Sequence, residues 1–72
     1  MNKKNKIKII VNGKLLTINS NFSVKNLIEK LKTPINKVAI ELNEVIVDKK
    51  KLNKIILKNK DKIEIVHFIG GG

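Results

Sequence analysis

One segment with helical periodicity stands between two regions in which apolar and polar residues alternate, and this arrangement most constrains the fold. Apolar side chains recur at i, i+3, i+4 and i+7 as Val24, Leu27, Ile28 and Leu31, which places them on one face of a helix. A helix of about ten residues is marginal on its own. We therefore predict one helix held against a sheet that both flanking regions build.

The region before the helix has the pattern of a β-hairpin. Apolar side chains alternate over residues 7–11, and residues 14–18 return as the antiparallel partner. Between them lies Asn12-Gly13, a pair that tolerates the positive φ angles of a type I′ turn. These residues predict a two-stranded ribbon at the start of the sheet.

Both ends of the helix carry local signals. Ser23 is the predicted N-cap, and Phe22 and Leu27 have the spacing of a hydrophobic staple across it. Pro34 disfavours helical geometry at Thr33. We therefore expect Pro34 to end the helix.

The region after the helix supplies two further strands. Residues 38–43 alternate again, and Asn43-Glu44 forms a tight turn into a short strand over residues 45–47. A strand of that length is stable only against its neighbour. We expect these two strands to pair.

A short helical turn and the last strand complete the chain. Asp48 is a possible cap and Leu52 an anchor for a single helical turn, and residues 55–57 approach the core. Residues 62–68 form the last strand. The first and last strands can then lie adjacent and parallel in the centre of the sheet.

These elements predict an α+β roll, in which one helix packs across one face of a mixed sheet of four to five strands. The predicted inner face of the sheet comprises Ile7, Ile9, Val11, Ile18, Val38, Ile40, Leu42, Ile63 and Ile65, closed against Val24, Leu27, Ile28 and Leu31. Val66 and Phe68 are expected on the outer face.

The 72 residues indicate one domain, spanning residues 1–72, with a hydrophobic core that is just large enough to stabilise the fold. The chain contains no cysteine and a single histidine, His67, which disfavours disulfides, thiolate chemistry and a metal cluster. We interpret His67 as a partly exposed strand residue, since no nucleophile or second ligand is near it in sequence. No constellation looks catalytic, so we expect that the protein is not an enzyme, with no cofactor bound by the chain and no metal site.

The net charge of +10 comes from 16 basic residues, all of them lysine. Nucleic-acid surfaces favour arginine and aromatic residues, and the chain has two phenylalanines and neither tyrosine nor tryptophan. We expect no nucleic-acid partner and regard the lysines as a solvated surface that could steer an acidic partner. No apolar run of signal or transmembrane length follows the basic start, so we expect no membrane partner and a cytoplasmic protein.

The end of the chain is the candidate functional segment. Three of the four glycines occupy positions 70–72, directly after Ile69. Glycine loses more backbone entropy on ordering than any other residue, so Gly70, Gly71 and Gly72 are poor choices for stability. The alternatives are a frayed terminus or a flexible docking arm over residues 69–72, which presents the ionised carboxylate to a partner.

A docking arm needs a surface on the folded body, because ordering three glycines costs about 3–6 kcal/mol. Val66, Phe68 and Ile69 form an apolar group at the base of the arm. We predict that these three side chains contact the partner.

The tail Ile69-Gly-Gly-Gly72, the preceding Asp61–Val66 segment, the segment at residues 38–43 and the element order resemble the bacterial sulfur carriers of thiazole (thiamine) biosynthesis. These carriers form the ThiS family, which has the ubiquitin-like β-grasp fold. The resemblance covers nearly the whole chain from Ile7.

This resemblance implies a carrier that partner enzymes modify. An adenylyltransferase related to ubiquitin-activating enzymes would use ATP and magnesium to adenylate the carboxylate of Gly72. Sulfur from a cysteine desulfurase would displace AMP, and the resulting thiocarboxylate would donate its sulfur to thiazole synthase. Gly71 would be the second glycine of the motif and Gly70 a spacer.

The chain departs from the family pattern at two turns. Asn43-Glu44 stands where the family often has Asn-Gly, and Asn59-Lys60-Asp61 stands where it often has Asp-Gly-Asp. Three alternative functions remain: a sulfur carrier for molybdopterin synthesis, a small ubiquitin-like modifier and a basic nucleic-acid-binding module. The last would bind with steep salt dependence and without need of the tail.

Overall fold

The computed structural model describes residues 5–68, which contain five strands and one α-helix. The elements are β1 (Lys6–Val11), β2 (Lys14–Asn19), α1 (Val24–Lys30), β3 (Val38–Leu42), β4 (Val45–Ile46) and β5 (Lys62–His67), with 3-10 turns at Ile35–Lys37 and Lys49–Lys54. No helix in this part of the chain is long and apolar enough to cross a membrane. The predicted tail at residues 69–72 lies outside the described residues.

The strands form one mixed sheet in the order β2-β1-β5-β3-β4. β1 and β5 pair in parallel, whereas β1–β2, β3–β5 and β3–β4 pair antiparallel. The predicted mixed sheet with adjacent, parallel first and last strands is therefore confirmed. β5 occupies the centre of the sheet, with a neighbour on each side.

The core lies between α1 and one face of the sheet. Its most deeply buried side chains include Ile9, Ile40 and Ile63 from the sheet and Val24 and Leu27 from the helix. The predicted inner face is confirmed, with Ile7, Val11 and Leu42 partly buried against this core. Leu52 and Leu57 also belong to the core, which confirms the predicted anchor and the predicted approach of residues 55–57. Val47 is buried there as well, although the sequence did not predict it.

The segment that follows β4 supplies two of these buried residues, and its 3-10 turn contacts α1. Val47 follows β4 directly, and Leu52 is the buried residue of the second 3-10 turn. Asp48 caps that turn by accepting a hydrogen bond from the Lys50 amide at 2.9 Å, as predicted. The second 3-10 turn therefore closes the core on the helix side.

The start of α1 has the N-cap residue that the sequence predicted. The Ser23 hydroxyl oxygen accepts a hydrogen bond from the Asn26 amide, and the Asn26 side chain accepts one from the Ser23 amide, each at 3.0 Å. This reciprocal pair is a capping box with asparagine as its second member. Ser23 is confirmed as the N-cap.

The end of α1 differs from the prediction. The helix stops at Lys30, and Lys32 has a φ of 55°. The amides of Lys32 and Thr33 donate to the carbonyls of Glu29 and Ile28, which is a Schellman motif.

The helix therefore has seven residues and ends before Pro34 could terminate it. Leu31, predicted to face the core, is 38% exposed. Leu31 is the C-cap residue, one position beyond the last residue of the helix.

Both tight hairpin turns use left-handed backbone. Asn12 and Gly13 have φ angles of 49° and 83°, and Asn43 and Glu44 have φ angles of 51° and 73°. The first pair confirms the predicted type I′ turn. The Asn43-Glu44 turn also has two positive φ angles, although its second residue is glutamate and not glycine.

Candidate functional site

The candidate site is the end of β5, which delivers the chain to its glycine tail. On one side β5 pairs with β3 from Val38 opposite His67 to Leu42 opposite Ile63. The ladder continues past the end of the strand, because the Phe68 amide donates to the Lys37 carbonyl at 2.9 Å. The backbone is therefore fixed as far as Phe68, next to the tail.

On the side of β5 that faces β1, an asparagine side chain takes the place of backbone hydrogen bonds. β1 turns away after Val11, and its last backbone contact with β5 is the Asn12 amide donating to the Ile63 carbonyl at 2.9 Å. The Asn12 side chain then accepts from the Ile65 amide at 2.7 Å and donates to the Ile65 carbonyl at 3.2 Å. One carboxamide thus extends the β1–β5 pairing toward the tail.

The beginning of β5 is held by a second polar network. The Asn43 side chain accepts from the Lys62 amide at 2.9 Å and donates to the Asp61 carboxylate at 3.0 Å. That carboxylate also accepts from the Lys58 amide at 2.8 Å. Sequence reasoning assigned Asn12 and Asn43 to turns but missed their contacts with β5, which join residues distant in sequence.

Two predicted docking side chains are accessible at the end of β5. Val66 is 52% exposed and Phe68 is 55% exposed. The Nζ atom of Lys49 lies 5.3 Å from the centre of the Phe68 ring, within cation–π range. The other predicted site residues, Ile69, Gly70, Gly71 and Gly72, lie outside the described residues.

His67 lies on β5 opposite Val38 and is exposed. The sequence interpreted His67 as a partly exposed strand residue, and the structure places it in the strand with its side chain exposed. Within residues 5–68, no three side chains of histidine, cysteine, aspartate or glutamate are grouped so that they could hold a metal ion.

The fold and the position of β5 define a ubiquitin-like protein in which two residues separate the central strand from the sequence Gly70-Gly71-Gly72. The family model of the ThiS family matches residues 7–72. The chain belongs to the ThiS family, and the β-grasp fold is confirmed.

A solved structure and two curated relatives support this assignment. The crystal structure of the thiamine biosynthesis protein ThiS from Geobacter metallireducens superimposes with a TM-score of 0.78 at 29% identity, covering 92% of this chain and 100% of that one. The sulfur carrier protein ThiS of Bacillus subtilis is 46% identical over 35 residues, which is 49% of this chain and 53% of that protein.

The other relative is much longer than this chain. A thiazole synthase of Paramagnetospirillum magneticum is 36% identical over 66 residues, which cover 92% of this chain but only 20% of that protein. This chain thus matches a segment equal to about a fifth of that synthase.

Proposed function

We propose that this protein carries sulfur as a thiocarboxylate on Gly72 and delivers it for thiazole formation in thiamine biosynthesis. The observation that carries this proposal is the ThiS family match through residue 72, which includes the complete glycine tail. The central position of β5 supports it, because neighbours on both sides fix the strand that precedes the tail.

The chemistry requires activation of the terminal carboxylate, which is a poor acceptor for sulfur. A carboxylate oxygen attacks the α-phosphorus of ATP, pyrophosphate leaves, and an acyl-adenylate forms at Gly72. A persulfide sulfur then attacks the carbonyl carbon and AMP leaves. A thiol cleaves the resulting S–S bond and releases the thiocarboxylate.

The partners supply the catalytic groups in this scheme. A ubiquitin-activating-enzyme-like adenylyltransferase binds ATP and magnesium, a cysteine desulfurase supplies the persulfide, and thiazole synthase takes the sulfur. The carrier itself is a substrate that is regenerated with a free carboxylate, and not an enzyme. Glycines suit this role because no β-carbon obstructs entry of the tail into a narrow active site.

The relatives favour thiazole synthase as the recipient. Two thiazole synthases, from Paramagnetospirillum magneticum and Magnetococcus marinus, contain a segment similar to this chain. A carrier joined to a synthase in one polypeptide indicates that the two act together. This observation favours the thiazole function over delivery to molybdopterin or protein modification.

We assign the docking role to Val66, Phe68 and Ile69. The described members of this group, Val66 and Phe68, are each more than half exposed beside the start of the tail. Burying them against a partner would offset the entropy lost when the glycines become ordered.

Intact mass spectrometry tests the carrier function. The protein is incubated with the adenylyltransferase, ATP, magnesium, the cysteine desulfurase, cysteine and a thiol. We expect an AMP adduct without the sulfur donor, and with it a mass gain equal to replacement of one oxygen by sulfur. A control variant with one alanine appended after Gly72 keeps every native residue but should gain neither mass.

A cellular assay tests the recipient. A strain that lacks its thiazole sulfur carrier should grow without thiazole when it receives this gene, and should fail when the gene lacks the codons for Gly71 and Gly72. Growth supported equally by the truncated gene would refute the proposal. Rescue of a molybdopterin-carrier mutant alone would instead identify the molybdopterin function.

A further inference from the structure

The turn between β1 and β2 contains a chemically labile pair of residues. Asn12-Gly13 is the only Asn-Gly sequence in the chain. The backbone nitrogen of the residue that follows an asparagine can attack the side-chain carboxamide, and glycine permits this most readily because it has no β-carbon to hinder the approach. Asparagine is accordingly one of the thermolabile residues of proteins. The sequence therefore places the most reactive asparagine of the chain in this turn.

The turn is open to solvent. Asn12 and Gly13 are both exposed, and a β-carbon at Gly13 would meet no atom of the described residues within 4 Å. Water and hydroxide therefore reach the pair, and packing over Gly13 does not shield it in this part of the chain.

Two hydrogen bonds restrain the reactive carboxamide. The Oδ1 atom of Asn12 accepts from the Ile65 amide at 2.7 Å, and its Nδ2 atom donates to the Ile65 carbonyl at 3.2 Å. To form a ring with the Gly13 nitrogen, the carboxamide has to break both bonds and rotate away from β5. The reaction therefore requires that a contact between β5 and the first hairpin turn opens.

The backbone of Ile65 depends on the same contact. Register partners in an antiparallel pair exchange either two hydrogen bonds or none. Ile40 is the register partner of Ile65 on β3, and its carbonyl accepts from the Val47 amide at 2.8 Å, on the side away from β5. The amide and carbonyl of Ile65 thus face β1, where the side chain of Asn12 binds both.

We propose that Asn12 is a modification site, at which spontaneous deamidation occurs when the carboxamide leaves Ile65. The Gly13 nitrogen loses a proton to hydroxide and attacks the Cγ atom of Asn12. The C–N bond of the carboxamide then breaks, and ammonia leaves with a proton from solvent. Water opens the resulting cyclic imide at either of its two carbonyl carbons and gives aspartate or isoaspartate at position 12. In total, one water is consumed and one ammonia is released.

Either product loosens the strand that precedes the tail. Neither carries the side-chain N–H group that binds the Ile65 carbonyl, so that carbonyl loses its donor. Isoaspartate in addition lengthens the main chain by one methylene group in a turn whose geometry depends on two residues. The modified form accumulates as the carrier ages, and its formation needs none of the chemistry proposed for Gly72.

Mass spectrometry over time tests the site. Full-length carrier is held at mildly alkaline pH in buffer and in urea above its unfolding midpoint, and peptide mapping locates each deamidated asparagine. We expect Asn12 to react first in urea, and to react at least about tenfold more slowly in buffer, the factor that two hydrogen bonds supply. Equal rates at Asn12 in the two conditions would overturn the inference, as would faster reaction of another asparagine in urea.

Hydrogen exchange at the Ile65 amide measures how often the contact opens. The open fraction multiplied by the deamidation rate in urea gives the rate expected in buffer, because the reaction of a transiently open state follows its population. We expect the measured rate at Asn12 in buffer to equal this product. A measured rate well above it would show that the attack does not require release from Ile65, and would overturn the inference.

Two variants serve as matched controls in urea, where every chain is unfolded. Gly13→Ala adds a methyl group beside the attacking nitrogen and should slow the reaction at Asn12. Glu44→Gly creates a second Asn-Gly sequence at Asn43 and should make that residue react as fast as Asn12. An unchanged rate in either variant would contradict the assignment of this reactivity to the Asn-Gly sequence.

The deamidated carrier is then separated by ion exchange through its added negative charge. Its Ile65 amide should exchange faster than in the native carrier, and its melting temperature should be lower, since the Ile65 carbonyl has lost its donor. Unchanged exchange and an unchanged melting temperature would overturn the effect on β5.

Discussion

At the scale of single residues, two asparagine side chains make hydrogen bonds to β5 of the kind that backbone groups make elsewhere in the sheet. The Asn12 side chain bonds both the amide and the carbonyl of Ile65, and Asn43 joins the β3–β4 turn to the start of β5. Asparagine suits both positions because it tolerates left-handed backbone and carries both a donor and an acceptor.

Substitution of Asn12 separates these two properties. Asn12→Gly keeps the turn geometry but removes both hydrogen bonds to Ile65, so we expect a loss of about 1–2 kcal/mol in the free energy of unfolding. Asn12→Asp keeps the acceptor for the Ile65 amide and loses the donor. Urea denaturation should place Asn12→Asp between the native protein and Asn12→Gly, and equal stability of all three would contradict the role of the amide.

The turns that lack the family's glycines give a second prediction. Glu44 and Lys60 have φ angles of 73° and 75°, a region that costs most residues about 1–2 kcal/mol. Glu44→Gly and Lys60→Gly should each raise the free energy of unfolding by about 0.5–1 kcal/mol, because glycine removes the strain of positive φ but loses more backbone entropy on folding, which offsets part of the gain. Alanine at either position keeps the strain, so Glu44→Ala and Lys60→Ala should show no such gain in the same denaturation assay.

At the scale of elements, the helix shows how local capping determines length. The capping box at Ser23 and the Schellman motif at Lys32 enclose a helix of seven residues, shorter than the apolar spacing predicted. Such a helix is stable only through its packing, which relies on Val24, Leu27 and Ile28.

Alanine substitutions at Leu27 and Leu31 test where that packing ends. Leu27 is completely buried, and Leu27→Ala should cost about 3–5 kcal/mol in the free energy of unfolding. Leu31 is 38% exposed, and Leu31→Ala should cost less than about 1 kcal/mol. Comparable losses measured by thermal and chemical denaturation would place Leu31 in the core, as its spacing alone predicted.

At the scale of the whole molecule, the positive charge opposes the compact state. The net charge of +10 on 72 residues repels itself, and the ion pairs among residues 5–68 are exposed, where each contributes little.

Salt should therefore stabilise this protein. We expect the melting temperature to rise as sodium chloride increases from about 0.01 to 0.15 M, over which the Debye length falls from about 30 to 8 Å. A Lys50→Gln, Lys51→Gln double variant, altered in an exposed segment, should show a smaller rise. A melting temperature independent of salt in both proteins would show that charge repulsion is not significant.

The sequence by itself determined the strand and helix types, most of the inner face, the first hairpin turn and the glycine tail. These features depend on local periodicity, turn chemistry and composition, which are readable along the chain. Only the tertiary structure decided that Leu31 leaves the core while Val47 enters it, that the Asn12 side chain bonds to Ile65, and that Glu41 lies opposite Glu64. The exposure of Leu31 depends on where the helix ends, and the other features depend on contacts or register between segments distant in sequence. The spacing of apolar residues along the chain specifies neither.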